Sequence, residues 1–386
     1  MSKETRKYPI AIGIALGIFF IVYYAVPKYL VLTFKPTNKD LLKAKTEKVV
    51  HITTPAVVKG VYMTACYASA PSLRNEVVKL INETELNTIV IDIKDYTGKI
   101  SYKTDNPILK DSYSKSCPVK DMKELIQSLH KKNIYVIGRV TVFQDLHMAE
   151  KYPEIAVKTN SDKNKVWPDR KGLKYIDPAS EVMSKYILSL AKDSYALGFD
   201  EINFDYIRFP SDGNMKDIYF PFSQSRVDSN PEFGRAEVMR DFYKYLGGKL
   251  KEQGIPSSAD LFGMTTINEG DSGIGQILEY AAPYFDYISP MVYPSHFAKG
   301  FYGYKDVNKY PYELVKLAMD KGVVRLNAAN IPLSKMRPWL QDNNYPITYT
   351  AAMVRAQIKA TYDAGLTSWM LWDAGNTYTR GALLSK

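Results

Sequence analysis

Residues Leu197–Gly213, LGFDEINFDYIRFPSDG, decide the fold. The stretch has the apolar content of a strand bound for an interior, yet it carries Glu201, Asn203, Asp205 and Arg208. Buried charge is costly unless it is paired or used. Alternate side chains of a strand share a face. Ile202, Phe204 and Tyr206, closed by Arg208, therefore form one side, and Glu201, Asn203, Asp205 and Ile207 form the other. The first side suits packing against helices. The polar side then faces the inside of a closed sheet, with Asp205 near its mouth.

The segments on either side repeat one rhythm of strand, loop, amphipathic helix, tight turn and next strand. The strand-like runs are GVYMTACY, NTIVIDIKD, NIYVIGRVTVF, EINFDYIRFP, SSADLFGMT, YISPMVYP, a run around VVRLNAANIPL, and TSWMLWDA. Between them LRNEVVKLINETE, DMKELIQSLHKK, EVMSKYILSLAKDSYAL, RAEVMRDFYKYLGGKL, YELVKLAMDKG and TAAMVRAQIKATYDAG place apolar residues at helical period. Eight strands alternating with helices over some 330 residues predict an α/β chain folded as a (β/α)8 TIM barrel. A doubly wound open sheet fits less well, because no G-x-G-x-x-G follows the first strand. Helix-to-strand connections are short, whereas the strand-to-helix connections at about 98–118, 144–179 and 211–231 are long. Such insertions elaborate the face where barrels of this kind build their sites.

Charge is unevenly spread. Residues 1–59 hold ten Lys or Arg against three acids, and the other 327 residues hold 41 against 38. The net +10 thus belongs largely to the amino-terminal tail, and no dense basic patch or nucleic-acid motif points to a nucleic-acid partner. In the tail, Lys3, Arg6 and Lys7 precede an apolar run from about Pro9 to Leu32, interrupted near Pro27 and Lys28. Its unbroken part, Ile10 to Val26, is at the short end for a membrane span. Positive residues ahead of such a run keep that end in the cytoplasm. Residues 1–34 read as an uncleaved transmembrane anchor; a cleaved signal peptide is the alternative, disfavoured by the bulky Tyr23 and Tyr24. Residues 35–58 read as a lysine-rich stalk, and 59–386 as the barrel. These boundaries predict a single-pass protein of the cell membrane with its barrel outside the cytoplasm, or a secreted one after cleavage. Two cysteines, Cys66 and Cys117, do not make a disulfide scaffold and leave the redox compartment open.

Polar residues gather at the carboxyl ends of several strands. Asp92, Lys94 and Asp95 close the second, Asp260 lies on the fifth, Tyr293, Ser295 and His296 follow the sixth, and Trp372 and Asp373 end the eighth. Acids converging on one rim are what two-carboxylate glycoside chemistry requires; structural ion pairing is the plainer reading of any one of them. The 30 tyrosines and an aromatic content of 13% suit either an aromatic-rich core or a cleft that stacks on sugar rings.

The motifs KGVYMTACYAS, NTIVIDIKDYTGKISY, LGFDEINFDYIRFPSDG, SADLFGMTT, YISPMVYPSHF, MRPWLQDN and WMLWDAGNTYT, in that order over roughly residues 59–380, resemble a family of bacterial exported proteins classed as a glycosyl hydrolase domain. The resemblance implies a TIM barrel of the glycosidase superfamily. A weaker likeness is to the family 18 chitinases, through GFDEINFDYI and Met291-Val292-Tyr293. There Ile207 stands in place of the general-acid glutamate and Asn203 in place of an aspartate, and Asp205 alone is retained. Chitinase chemistry is therefore not expected.

On this reading Asp205 is the nucleophile or base, and Asp260, desolvated by Leu261 and Phe262, is the acid. Arg208 pairs with Asp205 if the chain turns before Pro210. Asp92, Lys94 and Asp95 hydrogen-bond sugar hydroxyls, and Tyr293, Trp339 and Trp372 stack on sugar faces. Asn203, Arg208, His296, Gln341 and Asp373 complete the substrate contacts. No nucleotide or haem motif is present, and four histidines show no H-x-x-x-H spacing, so neither cofactor nor metal is called for. The expected partner is a carbohydrate polymer, with the membrane reached through the amino-terminal helix. The alternative is a barrel that binds carbohydrate or cell wall without cutting it.

Overall fold

The computed structural model describes residues 49–386 together with Tyr23. The anchor at 1–34 and most of the stalk lie outside the described residues. Among the described residues no helix is long and apolar enough to cross a membrane.

Eight parallel strands close on themselves in chain order: β1 (Lys59–Met63), β2 (Thr88–Lys94), β3 (Tyr135–Thr141), β4 (Glu201–Asp205), β5 (Ser257–Phe262), β6 (Tyr287–Met291), β7 (Trp339–Gln341) and β8 (Trp369–Trp372). Helices Pro71–Glu83, Met122–His130, Glu181–Leu197, Gly234–Lys251, Pro311–Ala328 and Ala351–Asp363 surround them. The alternation read from β4 holds. Ile202 and Phe204 belong to the large cluster between strands and helices, while Val58, Tyr62, Val90, Tyr135, Ile137, Tyr293, Trp339 and Met370 fill the inside of the barrel.

Strand seven departs from expectation. The run VVRLNAANIPL does not form it; Val323–Ala328 continue the helix that begins at Pro311. Gly322, which reads as a helix stop, sits inside that helix. A Cβ there would come within 2.8 Å of Met336 Cε, so the glycine serves close packing. The strand is the three-residue Trp339–Gln341, too short to show a period of its own.

Residues 50–58 are also more than a stalk. They belong to the same compact unit as the barrel. The Ile52 amide donates to Asp200 Oδ1 at 2.7 Å, Thr54 Oγ1 lies 2.9 Å from the Tyr135 hydroxyl, and Asn87 Nδ2 donates to the Val57 carbonyl at 2.7 Å. Ile52 packs against the cluster inside the barrel, and Val58 is part of it. This segment seats against the amino-terminal end of the strands and closes it.

Cys66 and Cys117 form a disulfide with their Cα atoms 4.6 Å apart. It ties the helix that follows β1 to the long connection that follows β2. Spacing alone could not announce it, because the two residues meet only once the barrel brings the two connections together.

Candidate active site

The upper interior of the barrel is organised by a residue that the reading of single motifs passed over. Arg139 on β3 is 5% exposed and donates through Nη1 to Asp92 Oδ1 at 2.7 Å and through Nη2 to Asp205 Oδ2 at 2.5 Å. Its Nε stands 4.0 Å from Asp260 Oδ2. One guanidinium thus faces carboxylates from β2, β4 and β5. The signal was available in YVIGRVT: by alternation Arg139 shares the inward face with Tyr135 and Ile137, as Asp205 does with Glu201 on the next strand. Burial works to lower the Arg139 pKa, and the charges of Asp205 and Asp92 outweigh it, holding the guanidinium firmly charged.

Asp260 differs from its neighbours. It is 1% exposed, and its Oδ1 accepts from Asn203 Nδ2 and from Trp339 Nε1, each at 2.8 Å. Burial, followed by the charge of Asp205, pushes its carboxyl well above the usual range; Arg139 and the two hydrogen bonds oppose the shift without cancelling it. Asp92 is raised too, by burial against the pull of Arg139, and it accepts a short hydrogen bond from the Tyr62 hydroxyl. Asp205, 4% exposed, accepts at Oδ1 from the Tyr206 amide at 2.6 Å. Tyr206 itself takes a left-handed conformation, φ 53°, and the strand ends there. The same reversal breaks the alternation beyond Asp205. Ile207, expected inside, belongs to the outer cluster, and its carbonyl accepts from the Tyr243 hydroxyl at 3.0 Å.

Aromatic rings cover the charged group. Tyr62 and Trp372 stack at 4.1 Å, and the Arg139 guanidinium lies 5.6 Å and 5.1 Å from their centroids. Tyr293 stands 6.4 Å from Trp372, and the exposed His296 sits edge-on to Tyr293 at 5.2 Å. Trp372 is half-buried at the carboxyl ends of the strands.

Several expected contacts fall elsewhere. Arg208 does not pair with Asp205; its Nη1 donates to the Phe209 carbonyl and Ser211 Oγ, because the turn at Tyr206 carries it past the acid. Lys94 is fully buried and paired with Asp145 at 2.8 Å, since a register shift after Asp92 takes it off the inward face. Asp95 caps its own turn through the Thr97 amide at 3.0 Å. Trp339 is wholly buried and cannot stack on a sugar; it is the hydrogen-bond donor to Asp260. Gln341 is spent on the Ser295 amide and on the carbonyls of Asn343 and Tyr345. Asn203 serves Asp260 and Ser258, and Asp373 caps a turn at the Gly375 amide. Of the expected set, Asp92, Asp205, Asp260, Asn203, Tyr293 and Trp372 converge on Arg139 or on one another. Among the described residues no cluster of three or more His, Cys, Asp or Glu is arranged to hold a metal ion.

Barrels of this kind build their sites at the carboxyl ends of the strands, where this chain carries acids and an aromatic ring. The chain belongs to the family described as "Putative glycosyl hydrolase domain", which it matches over residues 60–378. It is a glycoside-hydrolase-type domain. A hypothetical protein from Ruminiclostridium thermocellum ATCC 27405 is 31% identical over 52% of this chain and 96% of its own, with a TM-score of 0.44. The PgaB (BpsB) glycoside hydrolase domain from Bordetella bronchiseptica, at 12% identity, shares the fold over 83% of this chain and 95% of its own (TM-score 0.54). A chitobiase from Flavobacterium johnsoniae, also 12% identical, does so over 84% of this chain and 47% of its own (TM-score 0.54). At these identities the two likenesses speak for the fold alone. No curated protein matches the sequence at a significant level.

Proposed function

We propose that the barrel hydrolyses glycosidic bonds of an extracytoplasmic polysaccharide or wall glycan by a two-carboxylate mechanism. The observation that carries this reading is the contrast between two neighbouring carboxyls. Asp205 is engaged in an ion pair with Arg139, while burial and the Asp205 charge favour the protonated form of Asp260. Neighbouring acids in surroundings this different divide into acid and nucleophile or base. Asp260 gives its proton to the glycosidic oxygen as the C–O bond breaks. Asp205 bonds to the anomeric carbon, or draws the proton from the water that does so. Trp372, half-buried at the rim, stacks on a sugar ring.

An exported location is supported by Lys3, Arg6 and Lys7 ahead of the apolar run and by the Cys66–Cys117 disulfide, a bond that persists in oxidising compartments. Protease added outside intact cells, with any outer membrane permeabilised, should digest the barrel; digestion only after lysis would refute the topology.

One observation favours the binding-only alternative. Asp92, Asp205 and Asp260 are each at most 4% exposed and gather round a single arginine, as a structural network would. The deciding experiment is a screen of the full chain against bacterial exopolysaccharides and wall glycans, with Asp205→Asn and Asp260→Asn as controls. Release of reducing ends by the parent and by neither variant supports hydrolysis. Binding without release by all three supports the alternative.

A further inference from the structure

Arg208 is the charged residue that the site described above does not use. It is 7% exposed, yet among the described residues no carboxylate lies within salt-bridge distance of it. Its hydrogen bonds run to the Phe209 carbonyl at 3.0 Å, to Ser211 Oγ at 3.2 Å and to the Tyr175 hydroxyl, all of them neutral. Aromatic rings box it in: Phe262 at 4.7 Å, Tyr206 at 4.9 Å and Tyr175 at 5.9 Å from its guanidinium carbon.

A nearly buried guanidinium whose partners are all neutral costs free energy, and such charges are ordinarily paired. The backbone adds to that cost. Tyr206, a bulky residue at φ 53°, holds the turn that brings Arg208 to its place. Strain of this kind is retained where the surroundings demand a particular geometry, and it clusters at ligand sites. The acids nearest the box are committed elsewhere. Asp205 is bound by Arg139, and Asp169 accepts from the Lys171 and Leu173 amides, both at 2.8 Å.

Planar, always charged and poorly hydrated, a guanidinium suits carboxylate and phosphate oxygens. Arg208 also follows Asp205 by three residues at the carboxyl end of β4, on the rim where a glycan would enter. We infer that Arg208 in its ring of Tyr175, Tyr206 and Phe262 is an acid-group subsite, which makes the ligand an anionic glycan carrying a uronate carboxylate or a phosphate ester beside the sugar presented to Asp205. The inference rests on the glycan reading above and narrows it.

The test is calorimetric titration of the full chain with three probes of matched length: an oligogalacturonate, a phosphate-bearing oligosaccharide and a neutral glucose oligomer. At least one acidic probe should bind about tenfold or more tighter than the neutral one, and which acidic probe wins identifies the acid group. Arg208→Gln should remove that preference, a loss of about 10- to 100-fold, and leave neutral binding as it was. Arg208→Lys, which keeps the charge without the planar fork, should fall between. If Arg208→Gln fails to fold, the lysine variant and the salt dependence of acidic binding by the parent decide instead. Equal or absent binding of the acidic probes by the parent overturns the inference. So does a preference untouched by substitution of Arg208, or one insensitive to salt. Hydrolysis is read separately. If acidic probes bind through Arg208 but none is cleaved, the hydrolase reading fails and this one stands.

Discussion

Two buried arginines lie inside the barrel, at opposite ends of its strands, and they are partnered differently. The lower, Arg337, donates to Glu201 Oε2 at 2.9 Å, and the Tyr135 hydroxyl donates to the same oxygen at 3.1 Å. One cation meets one carboxylate, under a floor made by residues 50–58. The upper, Arg139, faces three carboxyls, and one of them, Asp260, has its pKa driven well up. A balanced pair with its floor closed has only structure to serve. An unbalanced group beneath aromatic rings at the carboxyl ends of the strands favours a protonated Asp260. Perturbed carboxyls of this second kind mark functional sites more often than structural ones. The contrast also revises what Asp205 can report. Its partner is Arg139, which retains Asp92 if Asp205 is neutralised, so a melting curve of Asp205→Asn alone does not separate catalysis from ion pairing.

The comparison can be broken in several ways. The largest effect is expected at the upper group: Asp205→Asn or Asp260→Asn should lower kcat by about 10³-fold or more once a substrate is found, while Arg337→Met should leave kcat within about tenfold in the folded fraction. Equal losses from both layers would erase the distinction.

Next come the arginines themselves. Removing one partner of a buried pair costs about 3–5 kcal/mol. Denaturant unfolding of Arg337→Met should show a loss of that size, and Arg139→Met should lose at least as much, since it strands two close carboxylates. A smaller loss for Arg139→Met would mean that the upper acids are protonated together.

The disulfide is expected to contribute about 4 kcal/mol if chain entropy governs, given the separation of 51 residues between Cys66 and Cys117. Cys66→Ser with Cys117→Ser should lower Tm accordingly. An unchanged Tm would mean that the two connections hold together without it.

Asp260 also makes a prediction in pH. Its folded pKa is raised, so the folded state holds a proton that the unfolded state releases above the ordinary carboxyl value of about 3.9. The stability tied to this group is therefore intact below that value and is lost as pH climbs toward the folded pKa. Asp260→Asn should gain on the parent between about pH 4 and pH 7 in parallel melts. A constant difference across that range would contradict the shift.

The smallest effect concerns the rim. Trp372→Ala should weaken glycan binding by about 1 kcal/mol, as one stacking ring would, with the fold retained. Unfolding would assign Trp372 to the core with Trp339.

The sequence by itself determined the alternation of strands and helices except at strand seven, the inward face of β4 as far as Asp205, the place of Asp260 and the side of the barrel on which long connections lie. Each of these is a local or periodic property: side chains alternate along a strand, and connection lengths can be counted. The tertiary structure decided the rest. Arg139 and Asp92 become partners only when β2 and β3 lie side by side, and Cys66 meets Cys117 only when two connections share one rim. Trp339 looks like a stacking ring until closure of the barrel buries it against Asp260. Val323–Ala328 look like a strand until Gly322 is found packed under Met336. Arg208 looked like the mate of Asp205, three residues away, until the left-handed turn at Tyr206 sent it into a ring of aromatic side chains. Proximity in a closed barrel is set by neighbouring strands and by the dihedral angles at their ends, and neither can be read from residue spacing.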